Sequence, residues 1–204
     1  MPDGTRLRLD DERIERYSRQ LILQEVGPRG QERLLASRVA VVGTDVAAGR
    51  VVAYLAAAGV GAIAADPELH AVVDPEQRDC TLGTLTAAPG TVDAVVVSGA
   101  TVAATADALA AWRDRAPVRI WITSGHAGAT PPCPRCAFAG RAATDAASVL
   151  AGLRDATLGT VVATEVVKAL LAIGTPLTGR LLAYDPATAT VESITVSARP
   201  DCAC

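Results

Sequence analysis

The side chains with the most chemical promise are sulfurs. Five cysteines occur in 204 residues, and four of them pair off as Cys133-x-x-Cys136 and Cys202-x-Cys204. Four thiolates on two short loops satisfy a tetrahedral zinc ion, and a reducing compartment favours a metal over a disulfide. Loose thiols or a disulfide form the competing reading. A zinc held this way staples the C-terminal part to the body of the fold and need not be catalytic. Cys80, in RDCTLG, stands apart. It is either a small core filler or a nucleophile helped by Arg78. The two histidines, His70 and His126, have no neighbouring Ser or Cys in a hydrolase arrangement, so a catalytic triad has little support.

A second constellation concerns phosphate. Arg38–Gly43 (RVAVVG) is an apolar run ending in glycine, followed by an Ala/Val/Leu stretch over 46–58. In a strand–Gly–helix unit a pyrophosphate sits on the free helix N–H groups. Here the loop is GTDVAAG (43–49), with Asp45 where a second glycine would admit phosphate to the backbone. A carboxylate about 4 Å from a phosphate costs on the order of 4 kcal/mol at an effective dielectric of about 20. The plainer reading of Asp45 is a helix cap. Asp66 follows the next strand, where an acidic group can hold a ribose hydroxyl, although Asp-Pro is also ordinary turn chemistry. Arg16 and Arg19 lie three apart in ERYSRQ and share a helix face. They suit either a phosphate clamp or a solvated face bridged to Glu12 and Glu15.

The elements that must hold these groups alternate. A capped helix is expected over Glu12–Gln20 and a second over Gln31–Ala36, with Gly27–Pro28 as the break between them. Strands are expected at 38–43, 61–65, 93–97 and 118–123, with helices over 46–58 and 102–113. Residues 67–92 carry Pro67, Pro75, Pro89, Gly83 and Gly90 with little periodicity, which predicts loop or short irregular helix. A short helix over 145–154, a long one over 158–173 and strands at 180–184 and 190–196 complete the pattern. Strand–helix alternation signals a parallel sheet with crossover helices. The predicted class is therefore α/β: a Rossmann-like, mostly parallel sheet with flanking helices. An N-terminal helical segment, a C-terminal hairpin and a four-cysteine zinc knuckle complete it. One domain is expected, built of a helical segment (1–36), a core (37–130) and a zinc-clipped part (131–204).

Composition narrows the partners. Half of the residues are apolar, enough for a buried core, but only 3% are aromatic, so that core is made of Ala, Val and Leu. A formal charge of −3 without a long basic run argues against nucleic acid and against an anionic membrane. The opening residues are charged throughout, unlike a signal peptide, and the expected location is cytoplasmic.

Five segments in order carry a family likeness: RYSRQLILQEVGPRGQERLLASRVAVVG (16–43), LAAAGVGAI (55–63), PCPRC (132–136), LGTVVATEVVKALLAIGTPLTGRLLAYD (158–185) and RPDCAC (199–204). Together they resemble the ThiF/MoeB/HesA family, bacterial relatives of ubiquitin-activating enzymes. The resemblance implies a homodimeric α/β fold with bound zinc. It implies use of ATP and magnesium to adenylate the C-terminal glycine of a ubiquitin-like or sulfur-carrier protein. It makes Arg19 similar to the family's arginine that reaches into the partner subunit's ATP site. Departures accompany it. The family's loop is close to GAGGLGS, and only Gly43 remains in register. The Asn, Arg and Lys that grip the triphosphate have no matching positions. Where the family continues its third strand as DxTDN, this chain reads VSGAT (97–101), with Ala100 in place of the magnesium-associated aspartate. No cysteine falls between Cys136 and Cys202, where members that link covalently to the carrier have theirs.

In-line attack of a carboxylate on an α-phosphate needs metal, cationic clamps and a close backbone cradle. Losing several together should remove most of the acceleration. The expectation is a non-catalytic partner or substrate-binding subunit, as a homodimer or paired with a complete family member. Gly43, Asp66 and Arg19 would form a weak or vestigial nucleotide site. The alternatives are an active adenylyltransferase of a carrier protein or peptide with a rearranged site, and an enzyme of another class acting through Cys80 or His126.

Overall fold

The computed structural model describes residues 9–88, 90–141 and 150–202. Eight strands form one sheet in the order β3-β2-β1-β4-β5-β6-β7-β8. In chain order they are β1 (Arg38–Val42), β2 (Ala62–Ala64), β3 (Thr81–Gly83), β4 (Ala94–Gly99), β5 (Val118–Thr123), β6 (His126–Ala129), β7 (Arg180–Asp185) and β8 (Thr190–Thr195). The first five are mutually parallel and the last three antiparallel. The helices are α1 (Asp11–Arg16), α2 (Ser18–Leu21), α3 (Gly27–Ala36), α4 (Val46–Ala57), α5 (Val102–Ala110), α6 (Pro134–Ala137) and α7 (Ala151–Leu171).

The period-two geometry of a strand sends successive side chains to opposite faces, and here both faces are buried. Val39, Val41, Val96 and Ile122 join the core beneath α4 and α7. Ala40, Val95, Val97 and Trp121 join the one beneath α5 and α6. This explains why β1, β4 and β5 are continuous apolar runs. The close fit of α4 on α7 rests on Gly159, where an added Cβ would collide with the Ala47 carbonyl oxygen and come within 2.9 Å of the Arg50 Cβ. Replacing Gly159 with valine should cost about 1–3 kcal/mol by prying the two helices apart, measurable as a lowered urea midpoint.

Several boundaries differ from expectation. The first helix breaks at Tyr17, which is 1% exposed: the chain turns there to carry the ring inward. Helix α3 starts at Gly27 instead of Gln31, because Pro28 sits in a first turn where its missing N–H costs nothing. In the segment 67–92, 3-10 turns at Pro67–Val72 and Leu85–Ala87 flank β3, a strand too short to leave a pattern. Strand β6 was not expected either. A two-residue turn makes it, Ser124 and Gly125 with φ of 47° and 72°, whose twist suits a hairpin. Helix α7 begins at Ala151, ahead of the predicted 158. Of the short helix predicted over 145–154, residues 145–149 lie outside the described residues, and 151–154 are the first turn of α7. Among the described residues, no helix is long and apolar enough to cross a membrane.

Candidate functional site: the β1/β4 crevice and the cysteine cluster

Strand order reverses between β1 and β4, so the crevice beyond their carboxyl ends is where an α/β sheet offers a ligand site. Gly43 lines it with φ +120°, and an added Cβ would strike the Ser98 carbonyl oxygen. The glycine is thus required by the approach of β1 to β4, whether or not a phosphate ever enters.

Beyond it stands Asp45. One carboxylate oxygen accepts the Ala48 N–H at 2.8 Å, capping α4, and the other accepts the Ser98 hydroxyl at 2.7 Å. An anion therefore already occupies the N-terminus of α4, and it belongs to the protein. Ser98 is a residue that sequence reasoning missed: 53 positions separate it from Asp45, and no local signal couples them.

Asp66 lies just past β2, where its side chain accepts the Glu68 N–H at 3.2 Å and caps a 3-10 turn. The His70 ring nitrogen Nε2 is 3.2 Å from the Gly83 carbonyl oxygen, joining that turn to the end of β3. Thr101 caps α5, and Ala100 just before it brings no carboxylate.

Arg16 and Arg19, the two arginines of ERYSRQ, have different surroundings. Arg16 binds Glu12 at 2.6 Å and also binds Asp79. Arg13 joins the same Asp79 carboxylate at 2.8 Å, and the Tyr17 hydroxyl donates to it at 3.2 Å. Burial alone would raise the Asp79 pKa, but hydrogen bonds and charge from both guanidiniums hold it below the usual carboxylate range. Burial and the adjacent Asp79 push the Tyr17 phenol up to about 12. Arg19, on α2, is exposed. Asp79 is the second residue the sequence concealed, since nothing in EQRDC marks it as an anchor 66 positions away from Arg13.

At the opposite end of the sheet, the Sγ atoms of Cys133, Cys136 and Cys202 lie within 4.8 Å of one another, with Cys133 and Cys202 at 3.6 Å. Zn–S bonds of about 2.3 Å in a tetrahedron place sulfurs about 3.8 Å apart. The cluster fits such an ion, and zinc bound there would supply a structural cross-link. Cys204, the fourth predicted ligand, lies outside the described residues. The Arg199 N–H donates to the Cys136 sulfur at 3.4 Å, orienting it. The knuckle is seated on the sheet by the Trp121 indole, which donates to the Pro132 carbonyl at 3.3 Å.

The remaining candidates are shielded. Burial pushes the Cys80 thiol up to about 11, which leaves little thiolate at neutral pH. His126 has its Nδ1 2.6 Å from the Ser124 carbonyl oxygen and its ring edge-on to Phe138 at 5.1 Å. Burial is the main cause that lowers its pKa.

The strand order, the crevice at its reversal and the cysteine cluster define a Rossmann-type α/β protein with a knuckle whose cysteines could hold a metal ion. The chain is 31% identical over 243 residues to the SAMP-activating enzyme E1 of Haloferax volcanii, covering 96% of this chain and 90% of that protein. It is 30% identical over 249 residues to the sulfur carrier protein adenylyltransferase of Thermus thermophilus, covering 96% and 92%. Both alignments are longer than this chain, so both relatives carry segments that it lacks. The chain belongs to the ThiF/MoeB/HesA family of adenylyltransferases. No protein-family model matches it. Among solved structures, E. coli MccB with succinimide has the same fold, with a TM-score of 0.67 over 92% of this chain and 73% of that one at 14% identity.

Proposed function

We propose that this chain is a family member with an eroded ATP site, serving as a non-catalytic partner or substrate-binding subunit for a ubiquitin-like or sulfur-carrier protein or a peptide. The observation that carries the reading is Asp45. Its carboxylate holds the α4 N-terminus and the Ser98 hydroxyl, so a triphosphate would have to displace one anion with another. The absence of a carboxylate at Ala100 removes a magnesium partner from the same crevice. In this reading Gly43 and Asp66 keep structural roles, and Arg19 reaches toward the crevice of a second subunit, either a copy of this chain or a complete relative. Cys133, Cys136 and Cys202, together with Cys204, hold a structural zinc.

A second reading has one observation in its favour. Both relatives named above are aligned over nine-tenths or more of their length, and one is named an adenylyltransferase, so the scaffold of that chemistry is retained. An active enzyme would then use Asp66 and Arg19 in a rearranged site.

Calorimetric titration with ATP and magnesium separates the two. The eroded site should bind in the millimolar range or not at all, and micromolar binding with pyrophosphate exchange in the presence of a carrier protein would favour the active enzyme. Asp45→Asn keeps a cap on α4 while removing the charge. It should tighten nucleotide binding by about tenfold or more if the carboxylate is the obstacle.

A further inference from the structure

A notch of ≈ 470 Å³ opens between the β5–β6 turn, the β7–β8 turn and the first turn of α7. Charges of both signs line it, and they come from different sides. Arg154, on α7, supplies the cation. Its Nε donates to Asp155 at 3.0 Å, and its guanidinium lies across the β5–β6 turn, where a Cβ added to Gly125 would come within 2.9 Å of it. Glu192, on β8, supplies the anion and has no ion-pair partner among the described residues. The second carboxylate, Asp185, is engaged within its own turn by the Ala187 N–H at 2.9 Å and the Thr188 hydroxyl at 3.0 Å. The register separates the two charges. His126, Ala183 and Glu192 lie side by side on β6, β7 and β8. Neighbouring strands are about 4.8 Å apart, which puts the Glu192 backbone about 10 Å from that of His126. Ala183 is too small to fill the space between them. His126 stands between the charges: burial is the main cause that lowers its pKa, and Arg154 and Glu192 act on it with opposite sign. Its Nδ1 faces the Ser124 carbonyl, which can only accept, so the ring proton sits there and Nε2 keeps a lone pair.

This layout selects among ligands. A phosphate meets the carboxylates of Glu192 and Asp185, and a metal cation meets Arg154. A small molecule with one charge of each sign is matched at both ends. An α-amino acid with an ionic contact at each end spans about 8 Å, a gap that the long Arg154 and Glu192 side chains can close on. The geometry points to this notch as a binding site for a free α-amino acid, its carboxylate on Arg154 and its ammonium on Glu192. His126 Nε2 accepts a further ammonium hydrogen. Ala151, Ala183, Pro186 and Ala187 provide apolar walls for the ligand side chain, which favours an aliphatic amino acid such as leucine. The site does not depend on the nucleotide crevice, and it stands whether or not Asp45 excludes ATP.

The test is calorimetric titration of the full chain with L-leucine, N-acetyl-L-leucine and L-leucinamide. L-leucine should bind saturably, and removing either charge from the ligand should weaken binding by about tenfold or more. Glu192→Gln, an exposed substitution, should weaken L-leucine by about tenfold and N-acetyl-L-leucine not at all, because the latter offers no ammonium. Arg154→Lys keeps the charge but loses the planar fork, so it should weaken L-leucine and N-acetyl-L-leucine alike. ATP should leave the affinity for L-leucine unchanged. Absence of saturable L-leucine binding, equal affinity for the three ligands, or a Glu192→Gln variant that binds L-leucine as wild type does would each overturn the assignment.

Discussion

Replacing Cys136 with serine is expected to free the tail at residues 199–202 from the knuckle and to cost about 4 kcal/mol. For a chain of this size that means a fall of about 8–16 °C in Tm. Structural zinc is worth on the order of 10 kcal/mol in domains that fold only around the metal. This chain has two apolar cores of its own, so only part of that sum is at stake. What is lost is local: the contact that fixes the knuckle against residues 199–202, where the Cys136 sulfur accepts the Arg199 N–H. A strong chelator should reproduce the fall in the wild-type protein, and zinc added to the variant should not reverse it. An unchanged Tm under both treatments would show that the cluster holds no structural metal.

The second large effect belongs to Asp79. Asp79→Asn removes the charge that Arg13 and Arg16 share, leaving two partly buried guanidiniums with no carboxylate between them. Breaking a buried pair on one side costs on the order of 3 kcal/mol, with part of that relieved as the arginines reach water. The loss should fall on α1 and α2, so limited proteolysis within residues 9–26 should quicken before the core unfolds. A pH series checks the same point. Because the folded pKa of Asp79 lies below its unfolded value of about 3.9, the clamp contributes in full above that value. Its contribution disappears as the pH falls through the folded pKa. Wild type should therefore lose N-terminal protection in acid, and Asp79→Asn should show a weaker dependence there.

Much of the architecture was visible in the residues. RVAVVG, DAVVV and VRIWIT are buried on both faces, and such strands need no alternation to be recognised. The Cys133-x-x-Cys136 spacing marked one half of a cluster, and the fold brings Cys202 to it from 69 positions away. What stayed hidden depended on distant partners. Ser98 matters because Asp45 turns toward it, and Asp79 because two arginines and a tyrosine converge on it from the N-terminal segment. Strands β3 and β6 escaped for another reason. TLG and HAGA are too short and too small to carry a period, and they are strands only because β2 and β5 present free edges to them.

The sheet's change from parallel to antiparallel pairing also divides the chain in time. Strands β5 and β6 meet across a two-residue turn, and β7 and β8 across a short one, so these ladders close with little loss of chain freedom. In contrast β1 must find β4 across the whole stretch from Val39 to Ala94. Non-local parallel pairing is slow to form. The two hairpins can therefore close first, and both distant joins, β1 to β4 and β6 to β7, which pairs His126 with Ala183, are completed later.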